Sequence, residues 1–303
     1  MKRPPRVVIV GAAGRLGQAL EARFSRENSV IGLARPRIDL SCAQSIRDAL
    51  EPLDFDYLIL PAAMTAVDPC ETGQDHAYAI NAYAPRLIAE ICAAKKAHMT
   101  HVSTDFVFDG KKPGPYTEED KPRPVSVYGA SKLEGEEHVL AASTHNLVVR
   151  VSWLYGPGKA AFPEWITDKA CAEAELYLPA DKIGTPTCSV DVAELLEPLI
   201  FAPGSAPASG LFHLCNSGVC TWQEWGQACI DLAREAGAPI QPNRIAANSL
   251  DDIAAMIAKR PPNSAMSNSK YISYTGITPR SWQEALRAHF ASAGFLRKYQ
   301  VAA

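Results

Sequence analysis

RVVIVGAAGRLGQALEARF, the stretch from Arg6 to Phe24, decides the fold. Arg6 to Val10 reads as a short apolar strand, the pattern of one buried on both faces in a parallel sheet covered by helices. Gly11, Gly14 and Gly17 follow, and Gln18 to Phe24 then carries alanine and leucine as a helix would. Glycines in such a turn let the backbone approach a pyrophosphate closely, and a helix N-terminus aims free N–H groups and the positive end of its dipole at phosphate. Three glycines are weak evidence alone. Here they follow a strand and open a helix, which is the context dinucleotide binding requires.

The second strand, Ser29 to Leu33, ends in Ala34, Arg35, Pro36 and Arg37. An NAD enzyme usually places a carboxylate there for the ribose 2′-hydroxyl. Arg35, with Arg15 in the glycine loop, instead offers a cation to the 2′-phosphate of NADPH, which an arginine fork binds in a bidentate way. A solvated surface role for Arg35 is the alternative, and Asp39 leaves NADH open or lies against the adenine. Next come a helix over Ala43 to Leu50, a strand over Tyr57 to Leu60, and small residues from Pro61 to Thr65 that would line the ligand crevice. Gln74 to Ala97 reads as one long helix with a kink or break at Pro85, and Asn81 within it as a structural residue. His98 to Ser103 is the fourth strand. Lys111 to Pro124, rich in Pro, Gly and charge, reads as a surface excursion.

Tyr128 and Lys132 stand four apart on the helix that follows, so they share a face. A cation beside the phenol would favour its ionised form and ease proton transfer at neutral pH. Asn146 to Trp153 is the fifth strand. Beyond Tyr155 the strand–helix alternation loosens. The expectation is an α/β chain with a Rossmann-type doubly wound parallel sheet over residues 1–154, joined by a returning segment near 183–200. A smaller C-terminal α/β substrate-binding domain would occupy 155–303, including a strand over Gly210 to Asn216 and a helix over Trp222 to Ala236.

Composition narrows the function classes. The 303 residues carry 30 Lys plus Arg against 33 Asp plus Glu, a formal charge of -3, which argues against a general nucleic-acid surface. No apolar run reaches the roughly 18 residues of a membrane span, and the MKRPPR N-terminus runs straight into a strand, so a cytoplasmic location is expected. The eight cysteines include no CxxC pair and no zinc spacing, and are expected to be reduced and mostly buried.

The set GAAGRLG, STDFVFDG, PYTEEDKPRPVSVYGASKLEGE, VVRVSWLYG, KIGTPT and RPPNSAM, running in order from Val7 to about Met266, resembles the dTDP-4-dehydrorhamnose reductase family of the extended short-chain dehydrogenase/reductase group. The resemblance implies hydride transfer from NADPH or NADH to the 4-keto group of dTDP-4-dehydro-L-rhamnose, giving dTDP-L-rhamnose. By position-to-position matching, Thr104 polarises the keto oxygen, Tyr128 delivers the proton, and Lys132 bonds the nicotinamide ribose and tunes Tyr128. Gly11, Gly14, Arg15, Leu16, Asp39, Leu40, Ala62, Ala63 and Thr65 would line the cofactor. Val67, Thr104, Asp105, Phe106, Tyr128, Trp153 and Arg260 would meet the nucleotide sugar. Trp153 would serve equally as a core aromatic, and Arg260 as a solvated loop residue.

Two positions depart from the family pattern. Phe106 replaces a usual tyrosine and removes a hydroxyl from the substrate side. Ala265 replaces a usual second arginine. These motivate two alternatives: a reductase or epimerase of another nucleotide sugar, and a non-catalytic NADP-binding subunit like the regulatory subunit of methionine adenosyltransferase. Some members use magnesium for dimerisation. No carboxylate cluster in this sequence demands that metal, so magnesium and a homodimer stay open.

Overall fold

Alternation along the first strand builds two layers. In β1 (Arg6–Val10), Val7 and Ile9 enter one apolar cluster and Val8 and Val10 another, and all four are fully buried. Successive side chains of a strand point to opposite faces, so one five-residue strand anchors helices on both sides. The computed structural model describes residues 3–201, 204–253, 255–292 and 295. Residues 296–303, the end of the expected C-terminal unit, and the first two of the MKRPPR N-terminus lie outside the described residues.

The other strands among the described residues are β2 (Ser29–Leu33), β3 (Tyr57–Leu60), β4 (His98–Thr104), β5 (Leu147–Val151), β6 (Leu154–Tyr155), β7 (Tyr177–Pro179), β8 (Ile183–Gly184), β9 (Thr187–Cys188), β10 (Gly210–His213), β11 (Cys220–Thr221) and β12 (Ala246–Asn248). Six of them form one sheet in the order β10-β5-β4-β3-β1-β2, with every pairing parallel. Succession turns from one direction to the other between β1 and β3. In open α/β sheets the ligand crevice lies at that switch point, beyond the C-terminal strand ends. The sixth strand comes from β10, further along the chain than the returning segment expected near 183–200.

Helix α1 (Arg15–Phe24) starts three residues before the expected Gln18, with Gly14 as its N-cap. Arg15 to Gly17 therefore belong to the helix, because Gly17 has no side chain to keep its backbone off the Gly11 carbonyl. Leu16, Leu20 and Phe24 recur every fourth residue and pack on Val192, Leu196 and Leu199 of α8 (Ser189–Ile200). On the opposite face α2 (Ala43–Leu50) contributes Ile46 and Leu50. A separate apolar cluster includes Tyr155, Ile166 of α7 (Phe162–Ala172), and Trp225 and Ile230 of α9 (Trp222–Glu235).

Between β3 and β4 the chain runs through α3 (Val67–Thr72), α4 (Gln74–Tyr78), a π-helical turn (Ala79–Tyr83) and α5 (Ala84–Lys95). The single helix expected over Gln74 to Ala97 is thus divided just ahead of Pro85, which has no N–H to return to the turn before it. Asn81 sits in the widened turn. Its amide donates to Met64 O at 3.0 Å and its Oδ1 accepts from Met64 N at 2.8 Å, pinning the chain after β3.

The surface excursion expected over Lys111 to Pro124 is a partial misreading. Tyr116 is buried, stacked on Phe108 at 4.0 Å, and exchanges backbone hydrogen bonds of 2.7 Å with Ala265 and Ser267. A single aromatic anchor in a polar loop leaves no periodic signal. The fifth strand stops at Val151 rather than Trp153, where φ is +43° and the backbone leaves the sheet direction. Six of the eight cysteines are buried. Among the described residues no helix is long and apolar enough to cross a membrane.

Helix α6 (Val127–Ala142) approaches the π turn through Gly135, where an added Cβ would collide with the Asn81 carbonyl. We expect Gly135→Ala to destabilise the fold by about 1–3 kcal/mol, the usual range for overpacking. Urea unfolding measures this, and an unchanged midpoint would remove this contact from the account.

Candidate active site

The C-terminal ends of β1, β3, β4 and β5 open onto one cleft of about 990 Å³. At its floor Gly11 has φ +109°, and a Cβ there would lie 2.8 Å from the Ala62 Cβ. Ala62 N donates to Val10 O at 3.1 Å, so the strand ends meet main chain to main chain. Helix α1 begins at this point with no side-chain bond capping its N-terminus. Those free N–H groups beside a glycine cradle fit a dinucleotide pyrophosphate, and a side chain at Gly11 would fill the space.

Gly11, Gly14, Arg15, Leu16, Arg35, Asp39, Leu40, Ala62, Ala63 and Thr65 all line the cleft. Arg35 is exposed at its rim. Arg15 is committed elsewhere: its guanidinium donates to Lys159 O and Ala160 O, each at 2.8 Å, and to Leu154 O at 3.3 Å. It therefore ties the glycine loop to the chain that follows β6. The Asp39 carboxylate accepts from Ser41 N and Oγ, which holds its pKa below the ordinary value.

The other end of the cleft is lined by Val67, Thr104, Asp105, Phe106, Tyr128 and Trp153. Strand β4 carries Thr104 to the edge, where its Oγ1 accepts from Phe106 N at 3.2 Å and caps a short 3-10 turn. Its proton goes to Asp105 Oδ1 at 3.1 Å. Tyr128 reaches the same place from the first turn of α6, whose N-cap Ser126 accepts from Gly129 N at 3.2 Å. Gly129 lets that turn rest on the Phe106 carbonyl, and the rings of Phe106 and Tyr128 meet edge to face at 5.4 Å. Burial pushes the Tyr128 phenol above its ordinary pKa, and a hydrogen bond with Thr104 offsets part of that rise. The direction is opposite to the lowering expected from a neighbouring lysine, because desolvation sets the shift and the Lys132 ammonium is turned to Val102 O instead.

Lys132 shares the Tyr128 face of α6 but is not part of the cleft wall. Its Nζ donates to Val102 O at 2.6 Å and meets His101 Nε2 at 3.2 Å. Burial lowers its pKa to about 7, opposed by the nearby Glu136. Burial also holds His101 well below its ordinary value, so the ring is neutral and Nε2 can accept from the ammonium. Arg260 likewise stands outside the lining. It grips Asp68, next to Val67, through two bonds of 2.6 and 2.9 Å, and donates to Ala258 O.

Trp153 stacks on Trp225 at 5.5 Å and covers Gly184, so it is both a wall of the cleft and part of an aromatic core. Two titratable wall residues lay outside the expected set, His76 and Lys159. Lys159 follows the glycines of the Gly156-Pro157-Gly158 turn, a usable signal; His76 offers none. Among the described residues no group of three or more His, Cys, Asp or Glu is placed to hold a metal.

Comparison with known proteins agrees with this geometry. Residues 5–294 match the family model described as the RmlD substrate binding domain. The chain is 32% identical over 286 residues to a dTDP-4-dehydrorhamnose reductase of Sinorhizobium fredii, covering 93% of this chain and 95% of that one. It is 34% identical to a probable dTDP-4,6-dihydroxy-2-methyloxan-3-one 4-ketoreductase of Streptomyces antibioticus, covering 94% of each. Its structure is similar to that of a dTDP-4-dehydrorhamnose reductase from Bacillus anthracis in complex with NADP, with a TM-score of 0.86, 29% identity, and coverage of 95% and 99%. With the doubly wound sheet, the glycine cradle and the Thr104–Tyr128 pair, these matches place the chain in the dTDP-4-dehydrorhamnose reductase family.

Proposed function

We infer that this protein is an NAD(P)H-dependent oxidoreductase that reduces the 4-keto group of dTDP-4-dehydro-L-rhamnose to give dTDP-L-rhamnose. The observation that carries the reading is one cleft with a glycine cradle at one end and Tyr128 and Thr104 together in its wall at the other. The nicotinamide, when bound, supplies the hydride. Negative charge then develops on the carbonyl oxygen, and a pre-placed donor stabilises it in the transition state. Tyr128 is that donor, and the high pKa that burial imposes keeps it protonated at neutral pH. Thr104 orients the phenol and, when its hydroxyl turns from Asp105, also polarises the oxygen. Lys132 supports α6 beneath the phenol and reaches the nicotinamide ribose by releasing Val102 O.

The division of labour follows the cores. Residues 1–154, with returning chain, hold the cofactor and supply one wall of the sugar end, and residues from 155 onward complete the nucleotide-sugar site. Val67, Asp105, Phe106 and Trp153 form the sugar end, with Arg260 held at its edge by Asp68. NADPH is the preferred cofactor, because Arg35 lines the cleft where an NAD enzyme would carry a carboxylate.

Tyr128→Phe should retain cofactor binding while turnover falls by roughly 10²- to 10⁴-fold, the usual worth of a positioned acid. Steady-state NADPH oxidation with the dTDP-4-keto sugar checks this, and undiminished activity would assign proton delivery elsewhere. Running the wild type against a panel of nucleotide keto-sugars separates this substrate from others; no turnover of the dTDP sugar would refute the reading. Arg35→Ala should raise the KM for NADPH on the order of tenfold or more, the worth of a lost charge-assisted bond, with little change for NADH. Equal effects on both cofactors would return Arg35 to the surface.

A further inference from the structure

A chain of buried polar groups leaves the cleft wall at Tyr128 and ends on an ammonium outside the expected site. Tyr128 and Thr104 share the cleft wall, and Thr104 Oγ1 donates to Asp105 Oδ1 at 3.1 Å. Ser152 Oγ donates to Asp105 Oδ2 at 2.9 Å, and Ser264, whose Oγ lies 3.5 Å from the Ile183 carbonyl, acts on the same carboxylate. Ser264 Oγ in turn accepts from Lys182 Nζ at 3.1 Å. Lys182 further donates to the Pro261 carbonyl, and its ammonium lies 5.5 Å from the Phe106 ring and 5.6 Å from the Trp153 ring. Asp105 is 2% exposed, Ser264 and Lys182 not at all.

The Thr104 and Ser152 hydroxyls both give their protons to Asp105, an arrangement that needs the carboxylate form. Burial alone favours the neutral acid, and it does push this group upward. Lys182, arriving from the turn before β8, is the charge that opposes it. Tyr128 on α6 and Cys215 beyond β10 face Asp105 as neutral groups, and Arg260 faces Lys182 from the following loop. A methionine or leucine would have filled the space between the two rings without the desolvation of an ammonium, which burial pulls down to about 8.

We propose that Lys182 is a positioning residue for the reduction: with Ser264 it keeps Asp105 ionised, which holds the Thr104 hydroxyl, and with it the Tyr128 phenol, in the orientation for proton delivery. The functional part rests on the reductase reading above. The sign of the pH effect follows. Asp105 is lost as an acceptor when pH falls through its pKa, and removing the cation raises that pKa, so activity fails at a higher pH.

The test compares the full-length wild type with Lys182→Met, Lys182→Arg and Lys182→Met combined with Asp105→Asn. Infrared difference spectra taken from acid to neutral pH need no turnover. Lys182→Met should show a buried carboxylic-acid band at neutral pH that the wild type, Lys182→Arg and the double variant lack. In NADPH oxidation with the keto sugar, the acid limb of kcat/KM should move up by about 1 to 3 pH units in Lys182→Met. It should return toward the wild type in Lys182→Arg, with the KM for NADPH unchanged throughout. A folded Lys182→Met with no such band, or with an unmoved acid limb, overturns the proposal. Should Lys182→Met fail to fold, Ser264→Ala removes the hydroxyl and keeps the lysine: a smaller upward shift supports the proposal and an unmoved limb overturns it. A wild type that does not reduce the keto sugar defeats the reductase reading alone, because the infrared comparison still decides the charge state of Asp105.

Discussion

The closest constraint in the molecule is the meeting of main chains at the switch point of the sheet. Gly11 N donates to Leu33 O at 2.7 Å, Ala62 N to Val10 O at 3.1 Å, and the backbone of Gly17 lies directly on the Gly11 carbonyl. No side chain fits between these strands and α1 at Gly11 or Gly17, so the helix starts against the sheet with its N–H groups turned into the cleft. From there α1 buries Leu16, Leu20 and Phe24 against α8, which brings chain from beyond residue 188 back onto the first layer. Losing a buried leucine at such a seam typically costs about 2–5 kcal/mol, so the contact that shapes the cofactor end also holds the layers together.

The sugar end is organised by buried charge. Glu136 and Arg150 form a fully buried bidentate pair of 2.6 and 2.8 Å, with the guanidinium 5.1 Å from the Phe108 ring. Breaking such a pair by removing one partner costs about 3–5 kcal/mol, because the other charge is left in a medium that cannot solvate it. Glu136 is on α6, one turn beyond Lys132 and two beyond Tyr128, so the pair fixes the rotation of the helix that carries the phenol. Gly129 and Gly135 set its depth, against the Phe106 and Asn81 carbonyls. The phenol is held from behind by charge and close approach, and from the front by Thr104.

Burial also changes what each ionisable group can do. A Tyr128 pushed upward is a proton donor at rest rather than a phenolate, and Lys132, turned to Val102 O beside a neutral His101, is part of the scaffold under it. Asp105 and Lys182 oppose the effect of burial on one another behind the same wall. The enzyme thus separates a cofactor end built from glycine and alanine backbone from a reducing end built from buried polar side chains.

The first five strands were legible because parallel strands buried on both faces are written as unbroken apolar runs, and the Tyr128 and Thr104 positions because their motifs are contiguous. Local signals failed where a long-range partner decides. Gly17, which read as loop, became part of the first turn of α1, since only the facing carbonyl of Gly11 shows why it must be small. Tyr116 anchors a loop that composition marks as surface, and β10 enters the sheet from a distant part of the chain. Arg260 and Lys132 carry the right charge at the right spacing, yet Asp68 and Val102 hold them outside the cleft wall. Sequence alone therefore determined the fold class and the positions of the glycine turn and of Thr104 and Tyr128, whose determinants are local in the chain. The direction of each pKa shift, the partners of the buried lysines and the route from Tyr128 to Lys182 were decided by tertiary structure, because desolvation and charge pairing depend on which segments surround a group and not on its neighbours in sequence.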